Sequence, residues 1–414
     1  MQPTISLDRT LVAVKVDGLV HLMLELSAPD AVASQRAPID AVVVLDRSGS
    51  MGGAPLHSVR EATCRLLRLL GADDRLGVVV FDDEVRMILP LGRHDAERAS
   101  AVVRKVRSGG STNLSGGWLK GLEMLSADGR PDALKRIVVL TDGHANVGIT
   151  GQDELASLSS RARGQGVTTS TIGFDDGYDE VLLAAIADAG GGNDYWCAGP
   201  DQSPQVFAAE FDGLASVVAQ NISVEVRPPS SINVAVLNEY PITVVDGGMQ
   251  IALGDAYGGE QRRIVVAYEL PAPNEAGMLE LGTLVVRWAS MVGDVALATV
   301  TIPVSVQASD DPTVADVAPD PAVTEHVNVL RAAKDRKAAH ERLADGDVAG
   351  AQAYLASAVD HLMAAPCAAA DLDQTRLDLD ELTAGAWSQA STKRMYSTTR
   401  SIQKGRRSRF DDQT

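Results

Sequence analysis

The sequence predicts a doubly wound α/β domain inserted in an antiparallel β-sandwich and followed by a C-terminal helical region. Three observations carry that expectation. Across residues 36–220, apolar runs of strand length alternate with segments of helical period. From Asn221 the period drops to two, with Ile222, Val224 and Val226 alternating against Ser223, Glu225 and Arg227. An acidic, proline-rich linker at 308–322 then leads into helical spacing.

Taken in order, residues 1–35 hold the first strands. Val12, Val14 and Val16 alternate, Asp17-Gly18 reads as a two-residue hairpin turn, and Leu22, Leu24 and Leu26 resume the alternation. A lone hairpin is only marginally stable, so these strands are expected to join the sandwich of 221–307. That makes the α/β domain an insertion. Within it, strand 41–45 is followed by a helix opened by Pro55, with Val59, Ala62, Thr63, Leu66, Leu67 and Leu70 on one face. Next come strand 75–81, an antiparallel edge strand at 85–89, and helices at 95–106 and 116–125. Strand 136–141, helix 153–163, strand 167–174, helix 179–187, strand 194–197 and helix 204–219 complete the domain. The sandwich strands are expected at 222–226, 232–237, 242–245, 249–253, 263–270, 282–288 and 296–306.

The helical region, 323–392, opens with a hairpin of helices at 323–344 and 348–363, the second capped by Asp347. It resembles one tetratricopeptide-like pair, with no second copy to build an array. A third helix is expected at 372–390. The basic tail, 393–414, from Lys393-Arg394 to Arg406-Arg407, reads as loosely ordered. It is either solvated or docked on the chain's own acidic surface; contact with nucleic acid or an acidic membrane is the alternative.

Composition narrows the function. A chain of 414 residues with 45% hydrophobic and 22% charged residues is that of an ordinary globular protein of two or three domains. A net charge of −18 argues against a phosphate-backbone binder. Cys64, Cys197 and Cys367 show neither pairing nor metal spacing, which suits a reducing compartment. The first residues, Met1 to Ser6, lack a basic region followed by an apolar core, and no apolar run is long enough to span a bilayer, so a cytoplasmic location is expected.

The candidate chemistry lies in residues 39–53. The apolar run Ala41–Leu45 stops at Asp46-Arg47-Ser48-Gly49-Ser50, which places three oxygen-bearing side chains at i, i+2 and i+4 after a strand end. Gly49, Gly52 and Gly53 let the backbone turn tightly around whatever those oxygens hold. A plainer reading makes them caps for the helix that follows. Enzyme signatures are missing: there is no P-loop, no convincing G-x-S-x-G triad, and histidine is scarce and unclustered. Asp82, Asp83, Glu84, Asp175 and Asp176 follow other apolar strands and rim the site, hold a second cation, or serve as solvated turn residues. His144 is placed to tune the site with pH or to sit idle on a surface loop.

Asp46-Arg47-Ser48-Gly49-Ser50 resembles the D-x-S-x-S signature of von Willebrand factor A domains. Thr112, in Gly109-Gly110-Ser111-Thr112-Asn113-Leu114, matches that family's threonine, and Asp142, in Leu140-Thr141-Asp142-Gly143, its later aspartate. Thr171-Ile172-Gly173-Phe174 and Ala189-Gly190-Gly191-Gly192 are similar to the closing part of bacterial members. The flanking sandwich resembles that of cytosolic bacterial relatives and of inter-alpha-trypsin-inhibitor heavy chains. The resemblance implies a metal-ion-dependent adhesion site holding Mg²⁺, or else Mn²⁺ or Ca²⁺, through Asp46, Ser48, Ser50, Thr112 and Asp142. Ser48, Ser50 and Thr112 would bind directly, and the aspartates often through water. It further implies a non-enzymatic module whose protein partner presents an acidic side chain to the metal. Two other readings stand beside it: a regulatory or adaptor subunit of an AAA-type ATPase or chelatase-like machine, and a hydrolase using the same cation. The acidic third helix, with Asp371, Asp373, Asp378, Asp380 and Glu381, is a candidate to occupy the site in cis, or else a solvated helix face.

Overall fold

The computed structural model describes residues 1–31, 37–127, 130, 132–174, 177–198, 206–207, 210, 213, 216–292 and 296–407. The α/β domain is inserted between two strands of a β-sandwich, and a helical region packs against both. The chain begins with β1 (Gln2–Leu7), β2 (Leu11–Ala13) and β3 (Gly18–Ser27). The inserted domain runs β4 (Ile39–Asp46), α1 (Ala54–Leu69), β5 (Arg75–Phe81), β6 (Val85–Gly92), α2 (Ala96–Val103), α3 (Leu114–Ala127), β7 (Leu134–Thr141), α4 (Gln152–Gly164), β8 (Val167–Phe174), α5 (Glu180–Gly190) and β9 (Gly191–Cys197).

The sandwich resumes with β10 (Val217–Arg227), β11 (Asn233–Val236), β12 (Ile242–Val245), β13 (Gly248–Tyr257), β14 (Gln261–Leu270), β15 (Gly277–Ser290) and β16 (Ala296–Ser309). Helices α6 (Pro321–Ala344), α7 (Val348–Met363), α8 (Ala369–Thr383) and α9 (Gln389–Gln403) follow, and β17 (Arg406–Arg407) ends the described chain.

The inserted sheet has the order β6-β5-β4-β7-β8-β9, with only β6 antiparallel. Strand β4 is buried at every position. Ala41, Val43 and Leu45 face one core with α1 and α2, while Val42 and Val44 face the other with α3, α4 and α5. That two-sided burial is why the strand reads as an unbroken apolar run. Helix α3 lies unusually close to the sheet: a Cβ added at Gly117 would fall 2.6 Å from the Phe81 ring, and one at Gly121 3.0 Å from Val44. Strands β4 and β5 run on one side of the switch and β7 on the other, so the carboxyl ends of β4 and β7 open the crevice where such sheets bind ligands.

The sandwich packs the sheet β1-β3-β14-β11 on the sheet β12-β13-β10-β15-β16-β2. Their shared core joins Leu22, Leu24, Ile264 and Tyr268 of one to Val224, Ile251, Val286 and Val306 of the other. The N-terminal strands thus belong to the sandwich, but not as the hairpin that Asp17-Gly18 suggested. Strand β3 pairs with β1 and β14, whereas β2 crosses to the other sheet and pairs in parallel with β16. The chain changes sheets next to Lys15, which takes a φ of 62. Val12 turns into the core and Val16 is exposed.

The C-terminal region differs from expectation in two places. The helix expected at 372–390 ends at Thr383, a turn with Gly385 at φ 68 follows, and a fourth helix occupies Gln389–Gln403. The basic segment is therefore ordered from its start. Its Ser388 forms a capping box with Ser391. Helix α6 covers the outer face of the first sandwich sheet through Val323, Val327 and Leu330 against Met23 and Val265. The helix expected at 204–219 lies largely outside the described residues, and Val217 already begins β10.

Candidate metal centre

Strand β4 delivers Asp46, fully buried, to the crevice. One carboxylate oxygen accepts the Ser48 N–H at 2.7 Å, and the other accepts the Thr141 hydroxyl, from the end of β7, at 2.5 Å. The chain then turns twice, with Met51 N–H on the Ser48 carbonyl at 3.2 Å and Gly52 N–H on the Gly49 carbonyl at 3.2 Å. The buried Met51 side chain anchors that turn in the core. Ser48 Oγ lies 3.2 Å from Ser50 Oγ, and Ser50 Oγ donates to Asp142 Oδ1 at 2.8 Å.

Thr112 is brought in by backbone pairing between loops. Gly49 N–H donates to the Gly110 carbonyl at 3.1 Å, and Gly109 N–H to the Arg47 carbonyl at 2.8 Å. Gly110 has a φ of 76, and a Cβ there would collide with Asp83, so this register requires glycine. The Thr112 backbone is held on both sides by Asn146, whose Oδ1 accepts the Thr112 N–H at 2.8 Å and whose N–H donates to the Thr112 carbonyl at 3.1 Å. Gly143 marks the convergence: a Cβ added there would lie 3.3 Å from Thr112 Oγ1 and 3.8 Å from Ser50 Oγ. Asp46, Ser48, Ser50, Thr112 and Asp142 therefore meet in one place.

The helix-capping explanation does not hold. The N-cap of α1 is Gly53, and no side chain caps it. Among the described residues no histidine, lysine or arginine pairs with Asp46. Burial, partly offset by the hydrogen bonds from Thr141 and Ser48 and reinforced by the charge of Asp142, pushes the Asp46 carboxyl up to about 6. Arg47 turns away and pairs with Asp82 at 2.7 Å. His144 is largely exposed, with Nδ1 3.8 Å from Asp179. Asp82 Oδ1 closes its own turn on the Glu84 N–H at 2.8 Å, and Asp83 Oδ1 accepts from Ser111 N–H at 3.4 Å. Asp175 and Asp176 lie outside the described residues.

No group of three or more His, Cys, Asp or Glu side chains among the described residues is placed to hold a metal ion. The site is instead two carboxylates among hydroxyls, an all-oxygen donor set that suits a hard cation. Sequence reasoning missed Thr141 and Asn146. Thr141 sits directly before Asp142 at a strand end, which was the available signal. Asn146 had none, because its role depends on the fold of the loop after β7.

Two of the acidic residues of helix α8 are engaged away from this site. Asp378 is buried against Arg336 at 3.1 Å and Arg394 at 3.0 Å, and Glu381 bonds to Arg394 at 2.9 Å and Ser391 at 2.8 Å.

A mostly parallel sheet with oxygen-bearing side chains gathered at its switch point is the architecture of a von Willebrand factor type A domain. Residues 40–206 match the model of that family, described as the von Willebrand factor type A domain, and this part of the chain is such a domain. The E3 ubiquitin-protein ligase WAV3 of Arabidopsis thaliana is 31% identical over 249 residues, 58% of this chain and 32% of that protein. An uncharacterized protein of Synechocystis sp. is 27% identical over 337 residues, 78% of each chain. The chain thus spans about a third of the plant relative and over three-quarters of the cyanobacterial one. The solved structure of a von Willebrand factor type A protein from Catenulispora acidiphila superposes with a TM-score of 0.78 at 17% identity, covering 98% of this chain and 97% of that one. It shares the fold across the inserted domain, sandwich and helices alike. No helix among the described residues is long and apolar enough to cross a membrane.

Proposed function

We propose that this chain is a non-enzymatic protein-binding module that works through a divalent cation held by Asp46, Ser48, Ser50, Thr112 and Asp142. The observation that carries this reading is the position of Asp46, a fully buried carboxylate facing Asp142 across serine hydroxyls, with no cationic side chain beside it among the described residues. A buried charge without a counter-ion is costly, and a bound cation offsets that cost. Mg²⁺ fits the oxygen donors best, with Mn²⁺ or Ca²⁺ as substitutes. Ser48, Ser50 and Thr112 would supply neutral donors, and Asp46 and Asp142 the charge. When bound, the cation supplies an electrophilic centre that accepts a carboxylate oxygen from a partner protein. Thr141 and the Ser48 N–H hold Asp46 in place, and Asn146 holds the Thr112 backbone, so the donors are set before any partner arrives.

The non-enzymatic reading is supported by the company the serines keep. Ser48 and Ser50 contact each other and the two aspartates, and among the described residues no histidine or lysine stands beside them as a base. The test is retention of a protein partner on the immobilised full chain in Mg²⁺ against EDTA, with Asp46→Ala as control. Retention in Mg²⁺ that is lost in EDTA and in the variant is the expected result. Retention that ignores both contradicts the reading.

A further inference from the structure

Helix α9 sets three buried cations against the von Willebrand factor type A domain, and one of them makes a different kind of contact. Arg400 and Lys404 pair side chain to side chain with Asp188 and Asp194, at 2.7 to 3.0 Å. Lys393, only 7% exposed, instead reaches the main chain. Its Nζ donates to the Tyr178 carbonyl at 2.6 Å, pairs with Glu180, and stands 4.5 Å from the centre of the Tyr178 ring. The Tyr178 carbonyl precedes α5, in the loop after β8, and Lys393 lies 215 residues further along the chain.

That loop abuts the candidate metal centre. Tyr178 is buried with its ring against Gly173, where an added Cβ would fall 2.4 Å from ring carbons. Beside it, Gly177 faces Asp142: a Cβ there would lie 3.2 Å from the Asp142 carbonyl oxygen. Asp142 in turn accepts from Ser50. Lys393 thus bonds to Tyr178, the adjacent residue Gly177 lies beside Asp142, and Asp142 bonds to the serine loop.

We propose that Lys393 is a positioning residue for the Asp142 side of the cation site, so that a helix outside the domain determines how well the site is organised. This inference rests on the cation reading above. An ammonium bonded to a main-chain carbonyl and pinned by Glu180 restricts residues 177–178, and through Gly177 it restricts the backbone of Asp142. Arg400 and Lys404 fasten the same helix but hold only carboxylate side chains of α5 and β9. Docking of α9 as a whole and organisation of the site are thus separable.

The test compares Lys393→Met with Lys404→Met in the full chain, with Lys393→Arg as the conservative variant. Two quantities are read: amide hydrogen exchange of residues 141–147 in EDTA, and Mn²⁺ affinity by calorimetry. Lys393→Met is expected to speed exchange in that segment and to weaken Mn²⁺ binding about tenfold, the low end for residues that support metal ligands from outside. Lys404→Met is expected to change neither, although both Met variants melt earlier, and Lys393→Arg to restore both. Unchanged exchange and affinity in Lys393→Met, or equal losses in Lys404→Met, overturn the inference. If Lys393→Met does not fold, Lys393→Gln takes its place with the same criteria. A chain that binds no Mn²⁺ at all overturns the cation reading and this inference with it. Binding that is abolished by Asp46→Ala but intact in Lys393→Met overturns the role of Lys393 alone.

Discussion

Strand β4 carries a buried aspartate near each end, and the surrounding chain treats the two in opposite ways. Asp40, at the end facing the sandwich, is held by two arginines: Arg75 Nε donates to it at 2.8 Å and Arg130 Nε at 3.1 Å, each with a second, shorter bond. Burial works to raise its carboxyl, but the hydrogen bonds and charges of Arg75 and Arg130 outweigh that and hold it below the ordinary range. Asp46, at the other end, meets hydroxyls and a backbone N–H, and its carboxyl is raised. The neighbouring strand repeats the division. Arg136 of β7 sits buried between Glu210 at 3.3 Å and Asp255 at 3.0 Å, joining the domain to the sandwich, while the far end of β7 offers Thr141 to Asp46. One end of the sheet has its charges closed within the protein. The other sets Asp46 and Asp142 among hydroxyls and a backbone N–H, the arrangement proposed above to hold a cation.

The largest expected effect is at the closed end. Arg136→Met leaves Glu210 and Asp255 buried without their shared cation and is expected to cost about 3–5 kcal/mol of stability, read by thermal or urea unfolding. A loss within the range of surface substitutions would show that the junction is not closed electrostatically. The next comparison is direct. Asp40→Asn deprives two guanidinium groups of their anion and is expected to cost about 2 kcal/mol. Asp46→Asn in EDTA is expected to leave stability unchanged or raise it, because the amide keeps an acceptor for the Ser48 N–H and the Thr141 hydroxyl can turn to accept. Equal destabilisation by the two would erase the contrast between the ends.

The smallest effect concerns Glu180, where burial raises the carboxyl but hydrogen bonds from His340 and Lys393 outweigh it and bring it down to about 2. Its folded value lies below the ordinary 4.5. The stability it adds is therefore present above pH 4.5 and fades as the pH falls toward 2. Lys393→Met is expected to cost about 1 kcal/mol at pH 7, with the gap to the unsubstituted chain narrowing below pH 4.5. A gap that stays constant to pH 3 contradicts that pairing.

Much of this arrangement was legible in the amino-acid order, and the parts that were not share a cause. Local signals pick out Asp46, Ser48 and Ser50 at a strand end, whereas Thr112 in its glycine loop and Asp142 after a later strand were picked out only by the family resemblance. The alternation of strand and helix in the insert, and the change to period two after Asn221, likewise announce the architecture. The crossing of β2 to the second sheet was hidden because Val12 and Val14 alternate as any hairpin strand would. The break after Thr383 was hidden because Leu382, Ala386 and Ala390 continue an apolar helical spacing across it. The acidic residues of α8 looked available to a metal because their partners, Arg336 and Arg394, lie elsewhere in the chain. Lys393 read as tail charge for the same reason: its meaning depends on a carbonyl in another domain.

The open end of β4 is proposed to hold a cation and the closed end is not. Calorimetric titration of Mg²⁺ and Mn²⁺ into the full chain, into Asp46→Ala and into Asp40→Asn tests that proposal most directly. A single saturable site is expected in the unsubstituted chain, retained in Asp40→Asn and abolished in Asp46→Ala while that variant keeps its fold by circular dichroism. Cation binding of unchanged affinity in Asp46→Ala, or none in the unsubstituted chain, would contradict it.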